Sequence, residues 1–332
     1  MNLIGIGFEH GHQIGMLKSL SALTDIELSA IADTNPETLA KGKAAFPDVP
    51  SYGDPVKALD EHEPGMVALT SKNNEKADYI EECAERGAHV FADKPLCTTW
   101  REQARIEKAA ADSGIRLSIC YSLRDHSAWR KTYDLIQEGA VGEFVYMIMS
   151  MPHCLRPPTR SEAMLRAKWN GGLVIDLGSH PIDCLRWFSG REIAAITATH
   201  GNKRFTDRED FQDYGQICAR LDDNAIGMIG LDWLQPDGGG YNVTLQIMGT
   251  EGAIRLAEPN RMTVSSVRGE PKDIEIVDAF RPEANIYEDF RRACFDPAYM
   301  PALSTEDVLE SSRWLLRARD AAESDPPKWV TA

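Results

Sequence analysis

A chain of 332 residues, 43% hydrophobic and 26% charged, is long enough for two domains of ordinary size and has a globular composition. Its formal net charge of −15 repels nucleic acid and anionic membrane surfaces, and the arginine runs at 291–294 and 313–319 read as ordinary helix faces with acids close by. No apolar run reaches the roughly 18 residues of a membrane span, no leader pattern opens the chain, and seven cysteines without C-x-x-C spacing predict reduced thiols in a cytoplasmic protein.

In chain order, "NLIGIG" (2–7) reads as a short apolar strand and 10–22 as a helix. "DIELSAIAD" (25–33) is a second strand, after which Asn35 and Pro36 supply a cap and a first helical residue. "MVALT" (66–70), "HVFAD" (89–93) and "RLSIC" (116–120) are further strands, with helices over about 73–87 and 99–113 between them. Alternation of apolar strands with helices predicts a parallel sheet covered on both faces, an α/β domain over 1–122. Beyond it, strand-like runs follow one another at 143–151, 193–200, 214–221, 225–233, 243–249, 252–257 and 273–278, with one good helix among them at about 174–188. That pattern predicts an α+β domain over 123–332 with a large mixed or antiparallel open sheet. "FVYMIMSM" (144–151) is apolar on both alternating faces, so its second face is expected to be buried against another subunit. A last helix over about 304–322 opens with Ser304 and, three residues on, Asp307, a capping-box-like start.

The turn "GIGFEHGH" (5–12) begins like a dinucleotide fingerprint, with Gly5 for a tight turn and Gly7 for close approach of a pyrophosphate. His10 stands where the third glycine belongs, and Gly11 can make room by shifting the helix start. His10 and His12 also raise a metal, but an H-x-H pair on a helix start points in different directions, so no metal is expected. Asp33 closes the second strand where an acid accepts the ribose hydroxyls of NAD, or it caps a helix. A carboxylate there repels the 2′-phosphate of NADP, so NAD is favoured over NADP. Lys94, in "FADKPLCTT" (91–99), stands at a carboxyl end of the sheet, with Pro95 fixing the turn and a cis Lys94–Pro95 peptide in prospect. It is a donor to a substrate oxygen or a solvated loop lysine. In "NGGLVIDLGSHPIDCLRWF" (170–188), Asp176, His180 and Asp183 share one helix face. A carboxylate one turn before a histidine orients the imidazole and makes His180 a general base. A metal cluster or a plain helix network of caps and ion pairs are the other readings of the same three residues.

Together these residues resemble the Gfo/Idh/MocA family of oxidoreductases over nearly the whole chain. The motifs are the glycine turn, Asp33, "GAHVFADKP" with Asp93 in place of the family's glutamate, and Gly171, Gly172, Asp176, Gly178, His180 and Asp183 in register. "IMGTEGAIRL" (247–256) is similar to a late hairpin of the family. The resemblance implies a Rossmann domain joined to a domain with a large open sheet that makes homodimers or homotetramers. It implies hydride transfer between NAD(P) and a carbinol carbon of a sugar, sugar acid or cyclitol. Lys94, Asp176 and His180 are the implied catalytic residues. The implied cofactor contacts are Gly5, Gly7, Phe8, Glu9, His10, Asp33, Thr70, Ser71, Asn73, Asp93, Lys94, Pro95 and Arg124. The chain departs from the pattern at His10, at Lys72 in the loop after strand four, and at Leu173, where a third glycine is usual. Two other functions fit such a site: a glycosidase that oxidises, eliminates and re-reduces with a retained NAD, and a non-catalytic dinucleotide-binding regulator. Substrate choice is expected from the loops at 151–170 and 231–242, with His153, Arg156, Arg160, Lys168, Trp169 and Tyr241 available. The basic groups of the first loop suggest an acidic or phosphorylated substrate, or merely a solvated surface.

Overall fold

The apolar runs of the first third become the strands of one sheet. In this computed structural model, every residue is described except 209, 238–242, 259–260, 268, 276–284, 325–328 and 332. The elements in chain order are β1 (Asn2–Ile6), α1 (His12–Ser21), β2 (Glu27–Ala32), α2 (Pro36–Ala45), β3 (Ser51–Tyr52), α3 (Pro55–His62), β4 (Met66–Leu69), α4 (Lys76–Glu85), β5 (His89–Ala92), α5 (Trp100–Ser113) and β6 (Leu117–Ile119). All pairings are parallel, in the order β3-β2-β1-β4-β5-β6. The order reverses between β1 and β4, and in such a sheet ligands bind at the carboxyl ends beside that switch point. Local chemistry sets the boundaries. Asn35 caps α2 by accepting from the Glu37 N–H, with Pro36 at its first position, and Thr99 with Glu102 closes a capping box on α5. The strand β3 and the helix α3 do not stand out from hydrophobic period; Asp54 capping α3 with Pro55 behind it is the signal that marks that helix.

The second unit runs from Tyr121 and contains α6 (Ser127–Gln137), β7 (Phe144–Pro152), α7 (Ala167–Asn170), α8 (Gly172–Ser189), β8 (Ile193–Gly201), β9 (Tyr214–Leu221), β10 (Ile226–Asp232), β11 (Thr244–Gly249), β12 (Gly252–Glu258), β13 (Arg261–Ser266) and β14 (Gly269–Glu275). After these come α9 (Ile286–Phe295), α10 (Thr305–Glu323) and β15 (Val330–Thr331). The sheet has nine strands in the order β14-β13-β12-β11-β7-β10-β9-β8-β15. Only β7 and β10 pair in parallel, so the sheet is mixed. Helix α8 packs on β7 to β10. Met147, Met149 and Met151 of β7 and Ile229 and Leu231 of β10 are buried on that side. The opposite side presents Tyr146, Ile148, Cys218, Ile226, Met228 and Met248, none of them buried. Register places Tyr146 beside Ile226 and Met248, and Ile148 beside Met228, so these side chains form one apolar patch.

Five elements are additions to the strand-rich reading of this half: the helices α6, α7 and α9 and the strands β13 and β15. The stretch after the second sheet also returns to the first unit. Ile286 and Phe290 of α9 join the core of Leu3, Leu17 and Phe91, and the Phe290 and Tyr287 rings lie 5.4 and 5.1 Å from that of Phe91. An apolar stripe on α9 fills the first sheet's flank, so a single cut at 122 does not capture how the chain divides. The strand expected over 273–278 is β14, shifted toward the N-terminus; 276–278 lie outside the described residues. Ser304 and Asp307 form the expected reciprocal cap: Asp307 N–H donates to Ser304 Oγ (3.1 Å), and Ser304 N–H to Asp307 Oδ2 (3.0 Å). None of the seven cysteines forms a disulfide, and burial pushes the Cys83 and Cys97 thiols up to about 12. Among the described residues, no helix is long and apolar enough to cross a membrane.

Candidate active site

In the first unit the candidate groups gather at the carboxyl ends of β1, β2, β4 and β5. Gly7 has a φ of +82°, and a Cβ there would come within 2.5 Å of the Ser71 nitrogen. Its N–H donates to the Ala32 carbonyl (2.9 Å), and Thr70 Oγ1 donates to its carbonyl (2.6 Å). The turn is clamped between β2 and β4 where only glycine fits. Gly5 permits close helix packing: a Cβ there would lie 2.6 Å from Leu17 Cδ1 on α1. The close approach usually ascribed to a third glycine is thus made from β1 itself. Gly11 is the N-cap of α1, which begins at His12, so His10 projects from the loop and stays 32% exposed. Gln13, fully buried, donates to the carbonyls of Ile6 (3.3 Å) and Ala68 (2.9 Å) and ties β1 to β4 beneath the turn.

Asp33 anchors that turn. Its carboxylate accepts from the Phe8 N–H (2.7 Å), Thr38 Oγ1 (2.7 Å) and the Asn35 N–H (2.9 Å). A carboxylate has about four acceptor positions, so one remains for a ribose hydroxyl. The Phe8 ring is buried against Gly42, which leaves only its backbone for a ligand. Glu9, Asp33, Thr34, Lys72, Glu75 and Tyr79 are among the residues that line a cleft beside Gly7. Lys72 is held by Glu75 at 2.9 Å, and that hydrogen bond raises its pKa. Three carboxylates against one paired lysine disfavour a further phosphate dianion. Glycine turn, acceptor and charge therefore fit NAD, and Glu9 and Glu75 add to the discrimination expected from Asp33. Thr70 and Ser71 follow β4 as buried residues, and Asn73 opens the 3₁₀ turn before α4.

The Asp93–Pro95 segment is fixed from below. Lys76, the first residue of α4, is 1% exposed and donates to the carbonyls of Asp93 (2.7 Å) and Pro95 (2.6 Å). A lysine in the first turn opposes the helix dipole. That anomaly is the one sign in the sequence of its positioning role. The Lys94–Pro95 peptide is cis, and Lys94 is the only residue from Val90 to Thr98 that is not buried. The Asp93 carboxylate, 6% exposed, lies 3.0 Å from His12 Nδ1 and 3.9 Å from His10 Nδ1. Burial pushes its pKa up; the His12 hydrogen bond and the charges of His12, Lys76 and His10 outweigh this and hold the carboxyl well below its ordinary range. The two rings sit 3.8 Å apart between centroids. The divergence expected of H-x-H on a helix is corrected here: His10 precedes α1, so helical geometry does not govern it.

In the second unit, α8 is entered through two left-handed residues, Gly171 (φ +89°) and Gly172 (φ +81°). Asn170 Oδ1 accepts from the Gly172 N–H (2.7 Å) and Gln212 Oε1 from the Leu173 N–H (3.1 Å), which fixes the first turn. Leu173 is buried against Gly215 of β9. At Gly178 a Cβ would lie 3.1 Å from Ile217 Cδ1, so glycine lets the helix settle on the sheet. From Gly172 to Phe188 every residue is buried except Asp176, His180 and Trp187. These three share one stripe, and the Tyr121 ring stands edge-on to His180 at 6.0 Å. Asp183 lies on the stripe but is covered. Arg124 donates to both its oxygens from Nε (2.9 Å) and Nη2 (2.8 Å), and both side chains are buried. Its carboxylate is thereby engaged, which argues against a metal held by Asp176, His180 and Asp183. Arg124 itself, implied as a cofactor contact, is committed to orienting α8.

The loop cations also have protein partners. Arg156 pairs with Asp237 at 3.1 Å, Arg160 stacks over Trp233 at 4.5 Å, and Lys168 over Trp169 at 4.3 Å. His153 lies edge-on to Trp233 at 5.3 Å. Tyr241 lies outside the described residues.

Comparison with known proteins covers both units. The model of an oxidoreductase family with an NAD-binding Rossmann fold matches residues 2–121, and the GFO/IDH/MocA C-terminal domain model matches 129–255. Inositol 2-dehydrogenase 2 of Saccharopolyspora erythraea is 23% identical over 317 residues, 95% of this chain and 88% of that one. Levoglucosan dehydrogenase, solved with NADH and levoglucosan, superposes with a TM-score of 0.85 at 20% identity over 100% of this chain and 99% of that one. An inositol dehydrogenase homologue of Azotobacter vinelandii, solved with NAD+, gives a TM-score of 0.83 at 17% identity over 100% and 97%. At such identities the structural likeness speaks for the fold.

Proposed function

This chain belongs to the Gfo/Idh/MocA family of oxidoreductases with an NAD-binding Rossmann fold, and from that premise we propose that it moves a hydride between NAD and a secondary alcohol carbon of a sugar, sugar acid or cyclitol. The observation that carries this reading is the α8 stripe, where Asp176 and His180 are the ionisable groups that stay accessible on an otherwise buried helix. When bound, the nicotinamide supplies the hydride acceptor at C4. His180 takes the hydroxyl proton at an imidazole nitrogen, and Asp176, one turn earlier, orients the ring and stabilises its cation. Lys94 donates to the reacting oxygen, and Lys76 holds Lys94 in place through the flanking carbonyls. The turn at Gly5 to His10, with Asp33, Thr70, Ser71, Asn73, Asp93 and Pro95, forms the cofactor's binding surface. Arg124 serves as a positioning residue for α8 through Asp183.

The names of the relatives support polyhydroxylated rings as the substrate class, since they include inositol and levoglucosan dehydrogenases. Thiols that form no disulfide and a nicotinamide cofactor fit a cytoplasmic enzyme. The test is turnover of a panel of inositols, sugars and sugar acids with NAD+, followed by absorbance of NADH. His180→Ala is expected to lower kcat by roughly 10²- to 10⁴-fold while NADH binding stays near that of the parent. Lys94→Ala is expected to lower kcat and kcat/KM together. Parental turnover in either variant would remove that residue from the catalytic set.

A further inference from the structure

We infer that His10, His12 and Asp93 form a binding site for a divalent transition-metal ion of the zinc class, with one coordination position left open to an oxygen ligand. The ligand atoms of these three side chains all lie within 4.8 Å of one another. Zinc bonds to nitrogen and carboxylate oxygen are about 2.0–2.2 Å, which separates tetrahedral ligands by roughly 3.4 Å. The two distances from imidazole to carboxylate, 3.0 and 3.9 Å, bracket that spacing. Small ring rotations therefore suffice to close the site on an ion.

The donors are held by rigid parts of the fold. Asp93 stands at the end of β5, its N–H bonded to the Leu69 carbonyl (2.9 Å) and its carbonyl to Lys76 (2.7 Å). His12 is the first residue of α1, and His10 is held by the Gln13 N–H on its carbonyl (3.3 Å). The His12 N–H also donates to His10 Nδ1 at 3.3 Å, a long bond that engages the one lone pair of that nitrogen. An ion can displace so long a bond. Burial is graded across the site: the carboxylate is 6% exposed, and the imidazoles are 32% and 46% exposed. A closed floor and an open mouth, with three protein ligands, is the plan of zinc sites that keep a position for water or substrate. Two imidazoles and one carboxylate suit zinc, cobalt or nickel; magnesium prefers an all-oxygen, octahedral shell. The N-terminal end of α1 carries a positive field that weakens cation binding. Three direct ligand bonds outweigh a field of that size.

His12 stands outside the proposed catalytic and cofactor-contact residues, whereas His10 and Asp93 lie on the proposed cofactor surface; metal binding read without NAD and without turnover therefore tests the site apart from that reaction. The test uses the full-length protein stripped of metal with a chelator and titrated with Co2+ alone, read by visible absorption and by calorimetry. One equivalent should bind and give the intensified bands of a four- or five-coordinate ion, without the near-ultraviolet band of a thiolate ligand. Zn2+ should displace it at stoichiometric amounts, and excess Mg2+ should not. His12→Ala should weaken Co2+ at least tenfold with an unchanged circular dichroism spectrum. Asp93→Asn should do the same, but its buried position makes His12→Ala the decisive variant. Absence of saturable binding, displacement by Mg2+, or parental affinity in His12→Ala would overturn the proposal and leave a hydrogen-bonded His–Asp pair.

Discussion

Asp33 has two tasks, one structural and one electrostatic, and a single substitution weighs chiefly on the second. It holds the turn through the Phe8 N–H and α2 through Thr38 and Asn35, and it presents carboxylate charge to the cleft. Asn keeps the shape and one oxygen acceptor, enough for the Phe8 N–H and Thr38, but it removes the charge and gives up the bond to the Asn35 N–H. Asp33→Asn is expected to weaken NADH roughly tenfold, about 1.4 kcal/mol, and to narrow the gap between NADH and NADPH. Parallel fluorescence titrations with the two cofactors check this, and an unchanged affinity ratio would assign discrimination to Glu9 and Glu75 instead. Residues of this kind are legible in sequence because their signal is local: a glycine turn after a strand, an acid at the end of the next. Lys76 and the convergence of His10, His12 and Asp93 are not local. Lys76 depends on the start of α4 meeting the end of β5, and the three-residue cluster on the end of β5 meeting the turn after β1, a contact across some 80 residues of chain that no spacing rule encodes. Asp183 shows the opposite failure. Its place on the helix face is visible in the i, i+7 spacing, but its burial beneath Arg124 is not.

At the scale of elements, the buried strands of the first sheet and the alternating strands of the second follow from hydrophobic period. Short or amphipathic pieces do not. The strand β3 has two residues, too few for any period, and α9 reads as surface until Phe91 is placed opposite Phe290. Strand ends also carry the titrating groups that couple stability to pH. At the start of β5, His89 Nδ1 accepts from the Arg116 N–H at 2.9 Å; burial first, then the Arg116 charge, lowers its pKa. In β8, burial lowers the pKa of His200, partly countered by Glu323. Both folded values lie below the ordinary 6.5. The unfolded chain therefore takes up protons first as pH falls, so stability is full above 6.5 and is lost on the way down through the folded values. The Tm at pH 5.5 is expected to lie a few degrees below that at pH 7.5, roughly 2–4 °C per kcal/mol for a chain of this size. His89→Gln, whose amide oxygen can still accept from Arg116, should flatten part of that fall. A pH profile identical to the parent's would show that His89 contributes nothing to it.

The molecule as a whole carries a net charge of −15, yet one face of its nine-stranded sheet carries an apolar patch. Ile148 and Ile226 are 40% and 41% exposed, and Tyr146, Met228, Met248 and Cys218 fill the space around them. The patch lies on the four neighbouring strands β11, β7, β10 and β9, which at about 4.8 Å spacing and about 22 Å length present roughly 400 Å², the apolar centre of an interface to which each partner contributes ~800 Å². A second copy of this chain is the occupant we propose, because a twofold axis lets an apolar sheet face cover itself. The same reasoning explains why β7 reads as apolar on both faces: α8 covers one of them and a partner copy would cover the other. Like charges oppose the association at long range, and salt with a Debye length of about 10 Å at 0.1 M screens that repulsion. Sedimentation equilibrium at micromolar concentration should therefore show a dimer or a tetramer whose dissociation constant falls as salt is raised. Ile148→Asp places a carboxylate in the middle of the patch, beside Met228, and should weaken association at least a hundredfold, ~2.7 kcal/mol. Each introduced carboxylate would be desolvated among Met228 and its apolar neighbours, with Arg220 at the patch margin opposite Ile226. A parental chain that sediments as a monomer at every salt concentration would leave the face open to solvent and would refute the self-association.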